Sequence, residues 1–139
     1  MTVSIACILL LMSVFDIRTY EVPLRLNISL GLTVLGFCFY NHSITNFVNM
    51  IIIILCFNII IEIIEHILNK DILGGADRLV LSFLSLYLGF KGCFDVLYIA
   101  SLLSGVVGII IISVKGIKSQ RYLPFLPFIS IAYCWTMYL

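Results

Sequence analysis

The sequence predicts an all-α polytopic membrane protein with six transmembrane helices, and three observations predict it. Of the 139 residues, 63% are hydrophobic and 11% are charged, with a mean hydropathy of +1.22; an ordinary soluble domain is about half apolar and about 25% charged. Apolar stretches recur along the whole chain, and at about 20 residues per crossing this length holds six spans with no room for a separate soluble domain. Residues 1–139 therefore read as a single membrane-embedded domain. The basic residues fall in alternate connections, as expected when positive charge is retained on the cytoplasmic side.

Met1 to Phe15 form the first span. No basic residue precedes this run and no small-residue cleavage site follows it, so it does not read as a removed secretory signal. The second span lies near Leu26 to Tyr40, the third near Phe47 to Leu68, and the fourth near Arg78 to Phe90. The fifth lies near Phe94 to Val114 and the sixth near Tyr122 to Leu139. The first and fourth runs are short of a full crossing, so their helices continue into neighbouring polar residues, which sets Asp16 and Asp77 slightly inside the membrane boundary.

With the N-terminus outside, Arg18 and Arg25 occupy the first inner loop, Lys70 and Arg78 the second, and Lys115, Lys118 and Arg121 the third. Only Lys91 falls outside. Turns are expected at Pro23, at Gly74 and Gly75, near Gly89 and Gly92, and at Gly116.

Several function classes drop out. A formal net charge of +1 supplies no basic field for nucleic acid. The cysteines Cys7, Cys38, Cys56, Cys93 and Cys134 form no C-x-x-C pair and read as small apolar packing residues. Glu62 and His66 stand one helical turn apart, but the pattern is neither H-E-x-x-H nor H-x-x-E-H, so no metal is expected. His42, with Asn41 and Ser43, reads as solvated outer loop, and Asp95 as an interfacial charge or a partner of Lys91.

Asp16 ends the first span and Asp77 begins the fourth, so this topology sends both to the cytoplasmic face, where two carboxylates can meet. A carboxylate at membrane depth costs a few kcal/mol even on lenient insertion scales, and it marks a bundle interior, a water-filled cavity or a site. Taken singly, each aspartate reads as well as an interfacial charge or a helix cap. As a pair they suit peptide hydrolysis: one carboxylate activates water while the other, protonated, serves the carbonyl oxygen and the leaving nitrogen, with no cofactor required.

Around these residues the chain reads Asp16-Ile17-Arg18-Thr19-Tyr20-Glu21-Val22-Pro23 and Gly74-Gly75-Ala76-Asp77. The two segments resemble the type 4 prepilin peptidases, polytopic aspartic proteases whose first aspartate precedes an I-P or V-P pair and whose second closes a G-x-G-D motif. The segment from Arg121 to Phe128, with Pro124 and Pro127, resembles the proline-containing start of that family's last helix. Leu24, Ala76 and Leu79 depart from the commoner asparagine, glycine and lysine.

The resemblance implies catalytic roles for Asp16 and Asp77, with Val22, Pro23, Gly74, Gly75 and Pro124 as motif-supporting residues. It further implies a prepilin precursor as substrate, with a basic leader cut at the cytoplasmic face of a bacterial inner membrane. Without a soluble insert or paired cysteines, the chain resembles the short forms that process Flp-type pilins, and no methyltransferase activity is expected.

Asn58, Glu62, Glu65 and Asn69 share one face of the third span, a stripe expected to turn inward. It reads either as a hydrogen-bonded bundle face or as a water path or substrate-leader contact through Asn58, Glu62 and Glu65. Ala100, Ser101, Ser104, Gly105 and Gly108 make a small-residue face for packing within the bundle or for a homo-oligomer. Tyr133, Trp135 and Tyr138 read as an interfacial aromatic belt. The rival readings are a small proton- or cation-translocating protein, since intramembrane acids often serve such paths, and a non-catalytic subunit of a pilus or secretion machine.

Overall fold

The computed structural model describes residues 2–40, 44–69, 74–115 and 123–138. They form α1 (Thr2–Thr19), α2 (Leu24–Tyr40), α3 (Ile44–Leu68), α4 (Gly75–Lys115) and α5 (Leu126–Tyr138), with no strand among the described residues. Asn41, His42, Ser43, Lys70, Gly116, Lys118, Arg121 and Tyr122 lie outside these ranges. By length and composition Thr2–Thr19 and Gly75–Val114 are able to cross a membrane, and Leu24–Tyr40 is a shorter apolar helix.

The helices are apolar on the outside as well as the inside. On α1 the buried residues Ile5, Leu9, Met12 and Asp16 make one stripe, while Leu10, Leu11, Val14 and Ile17 are exposed. On α3 the exposed set includes Ile52, Leu55, Ile59, Ile60 and Ile63. A soluble protein does not present such a continuous apolar surface to water, whereas a helix in lipid does.

The chain packs as two units. In one, formed by Thr2–Pro23 and Phe94–Leu139, α1 and α5 lie against each other and run antiparallel: Asp16 meets the start of α5 at Leu126, and the Tyr133 hydroxyl donates to the Thr2 carbonyl at 3.4 Å. Tyr133 is fully buried, so its place in an aromatic belt is corrected: it is a packing residue. Trp135 and Tyr138 are exposed. Ala100 is buried, but a Cβ added at Gly105 or Gly108 would meet nothing within 4 Å. Those two glycines therefore do not serve close helix packing among the described residues.

The other unit contains Leu24–Cys93. Here α2 and the first part of α4 run parallel, since Gly31 faces Phe83 and, further along both helices, Phe37 makes an edge-on contact with Tyr87 at 5.2 Å between ring centroids. A Cβ at Gly31 would stand 2.8 Å from Phe83 Cζ, so the missing side chain lets the ring close over the helix.

A straight α4 of 41 residues would measure about 60 Å. It is broken at Gly89, which takes φ 74° and ψ −179°, a conformation open essentially only to glycine. Beyond it the chain turns back, so that Cys93 Sγ reaches the Leu81 carbonyl at 3.6 Å. The turn falls where the sequence places a connection near Gly89 and Gly92.

Candidate active site

Asp16 lies on the buried stripe of α1, near its end, and is 8% exposed. The helix closes just beyond it. Tyr20 adopts the left-handed conformation at φ 55°, and its N–H donates to the Asp16 carbonyl at 3.0 Å, the pattern of a left-handed helix stop. Thr19 braces this exit, with Oγ1 2.9 Å from the Phe15 carbonyl and 2.8 Å from the Glu21 carbonyl. Val22 and Pro23, both half-buried, then lead into α2.

The Asp16 carboxylate turns to α5. There the Phe125 carbonyl accepts from Phe128 N at 3.0 Å and from Ile129 N at 3.2 Å, which makes Phe125 the N-cap. A phenylalanine side chain cannot bond to the free amides of the first turn, and Pro127 has no N–H to offer. The remaining Leu126 N–H donates to Asp16 Oδ2 at 3.3 Å. Asp16 is thus a cap supplied to α5 from another helix. Pro124, half-buried, precedes this start.

Asp77 occupies the third position of α4. The Gly74 carbonyl accepts from Arg78 N at 3.1 Å, so Gly74 is the N-cap, and Gly75, Ala76 and Asp77 fill the first turn. Asp77 is half-buried, and its Oδ2 lies 3.5 Å from where a Cβ on Gly74 would stand. The carboxylate therefore folds back over the cap residue. Gly74 and Gly75 are themselves exposed.

Next to Asp77, the Arg78 guanidinium is ion-paired with Glu65 of α3. Side-chain exposures of 25% for Arg78 and 12% for Glu65 mean that water screens the pair only partly. Of the remaining α3 stripe, Asn58 Nδ2 donates to the Ile54 carbonyl of its own helix at 2.8 Å. Glu62 and Asn69 are exposed, and Asn69 ends the helix at φ 47°. The stripe is therefore not turned inward as a whole: Glu65 holds a neighbouring helix, and Glu62 does not. No group of three or more metal-binding side chains occurs among the described residues.

One residue passed over in the sequence stands out. Asn27 is 4% exposed and lies with Leu30, Gly31 and Val34 on the buried face of α2. Its signal was a lone amide at helical spacing from that apolar face. Its Oδ1 has no hydrogen-bond partner, nor has the buried Nε of Arg78.

Apolar helices of this length and surface suit a membrane protein, in which one aspartate lies near the end of α1 and the other in the first turn of α4. The chain belongs to the type IV leader peptidase family, the prepilin peptidases: residues 3–109 match the family's model. The match takes in Asp16, Val22, Pro23 and the Gly74 to Asp77 segment, and it stops short of Pro124 and α5. Family membership implies a peptidase acting on prepilins. No curated protein and no solved structure matches.

Proposed function

We propose that the chain is an aspartic prepilin peptidase that removes the N-terminal leader from type IV, Flp-like pilin precursors at the cytoplasmic face of a bacterial inner membrane. In this reading six spans, with the N-terminus outside, bring Asp16 and Asp77 to the same face. One carboxylate takes a proton from water as that water attacks the scissile carbonyl. The other donates to the carbonyl oxygen and, on collapse of the tetrahedral intermediate, a proton passes to the leaving nitrogen. Two close carboxyls share a single proton, which gives one acid and one base without a metal or organic cofactor. The apolar helix of the precursor stays in lipid while its scissile peptide meets the pair.

The observation that carries this reading is the family match across both aspartate motifs. The local geometry supports it, because the Asp16 carboxylate accepts from the first amide of α5 and Asp77 stands in the first turn of α4 behind its Gly74 cap. The test is co-expression with a short pilin precursor, following its size on a gel for the wild type, Asp16→Asn and Asp77→Asn at matched membrane levels. The wild type shortens the precursor and both variants leave it whole. Cleavage by either variant would remove the dyad, and ion flux lost in those variants without any cleavage by the wild type would favour a transporter.

A further inference from the structure

Two buried side-chain atoms among the described residues lack a hydrogen-bond partner: Asn27 Oδ1, an acceptor, and Arg78 Nε, whose N–H is a donor. Buried polar groups are nearly always paired, and each exception calls for a reason. Both atoms belong to the unit formed by Leu24–Cys93, Asn27 on α2 and Arg78 as the fourth residue of α4.

The register of the parallel helices places them. Gly31 of α2 is level with the Phe83 ring, and one turn back along α2 is Asn27 on the same face. One turn back from Phe83 is Leu79, with Arg78 and Asp77 just beyond. At 1.5 Å per residue, Asn27 is therefore within about one helical turn of Asp77 along the shared axis. Arg78 follows Asp77 directly, with its Nη2 committed to Glu65, which orients the guanidinium and leaves Nε over.

A free acceptor and a free donor at one level match the polar groups of a peptide main chain, which carries one N–H and one C=O per residue. An extended substrate segment laid against apolar helices needs partners for these groups. The geometry points to a main-chain binding site at the start of α4, in which Asn27 Oδ1 accepts a substrate N–H and Arg78 Nε donates to a substrate C=O. This rests on the peptidase reading above and adds to it how the scissile segment is held beside Asp77. Contacts to main chain alone hold a segment whatever its side chains, so sequence preference must come from elsewhere.

The test uses the full-length protein in membranes or detergent, with a purified pilin precursor as substrate. Asn27→Leu removes the acceptor at similar volume, and Arg78→Lys keeps the charge for Glu65 while deleting the Nε donor. Each variant should raise KM about tenfold with kcat retained, as loss of a contact made equally in ground and transition states does. Asn27→Leu should also melt no lower than the wild type, because it removes a buried group that has no partner in the resting protein.

An unchanged KM in both variants, with Asp77→Asn inactive, would overturn the binding site and leave the dyad standing. A clear drop in the melting temperature of Asn27→Leu would overturn it too, by assigning Asn27 a structural bond. Cleavage by Asp77→Asn at the wild-type rate would overturn the peptidase mechanism and this site together.

Discussion

The Asp16 carboxylate accepts the main-chain N–H of Leu126 at 3.3 Å, across 110 positions of sequence. A residue placed at the centre of the proposed chemistry therefore also closes the first turn of α5. The arrangement holds the side chain in one orientation, as a reacting group requires, and it joins two consequences of mutation that are separable by the choice of substituent.

Asp16→Asn keeps a side-chain oxygen that can accept from Leu126, so it should accumulate in membranes and melt as the wild type does while cleavage is abolished. Asp16→Ala removes the cap as well, and should lose about 1 kcal/mol of stability in addition to activity. Thermal melts in detergent beside precursor cleavage on a gel separate the two. Equal melting of both variants would mean that the Leu126 contact contributes nothing to the fold.

Glu65 and Glu62 differ although they share an α3 face. Glu65→Gln strips Arg78 of its partly buried counter-charge and should cost about 1–2 kcal/mol with a drop in cleavage, since Arg78 adjoins Asp77. Glu62 is exposed, and Glu62→Gln should change neither by a measurable amount. A double-mutant cycle of Glu65→Gln with Arg78→Gln checks the pair: additive effects would show that the two side chains are not coupled.

The helices were legible because apolar residues dominate each of them, Gly89 was legible as a break because glycine tolerates backbone that other residues do not, and Pro23 because proline does not continue a helix. The roles of individual polar residues were less so. Arg78 read as a topology marker, since a count of basic residues does not reveal that its guanidinium turns to Glu65. Tyr133 read as interfacial because aromatic composition is the same for a belt and for a buried contact; only the packing of α5 on α1 separates it from Trp135. The cap on Leu126 depends on a fold that returns the end of the chain to its beginning, and no local window contains that information. Asn27 went unnoticed because one amide barely alters the apolar pattern of α2.

Gly31 allows the Phe83 ring to close over α2, with 2.8 Å between Cζ and the place a Cβ would take. Gly31→Leu should therefore destabilise the α2 and α4 pair by about 2 kcal/mol through overpacking. The compensating change Phe83→Ala, made in the same chain, should recover part of the loss, and melting of the single and double variants measures it. If the double variant is no better than the sum of the singles, the close approach is not what limits position 31.

Gly89 is required by its backbone and not by crowding, because a Cβ there would meet nothing within 4 Å while φ stands at 74°. Gly89→Ala should therefore lose about 1–3 kcal/mol from the conformation alone. On α2, a Cβ at Gly36 likewise meets nothing, and with ordinary helical backbone Gly36→Ala should gain up to about 1 kcal/mol. The turn at Gly89 is what carries Cys93 back to Leu81, where the thiol is 4% exposed. A thiol-reactive probe reads it in a chain whose other cysteines are replaced by serine or alanine. Cys93 should label slowly in the wild-type background and in Gly36→Ala, and much faster in Gly89→Ala; slow labelling in all three would show that the turn survives a Cβ at position 89.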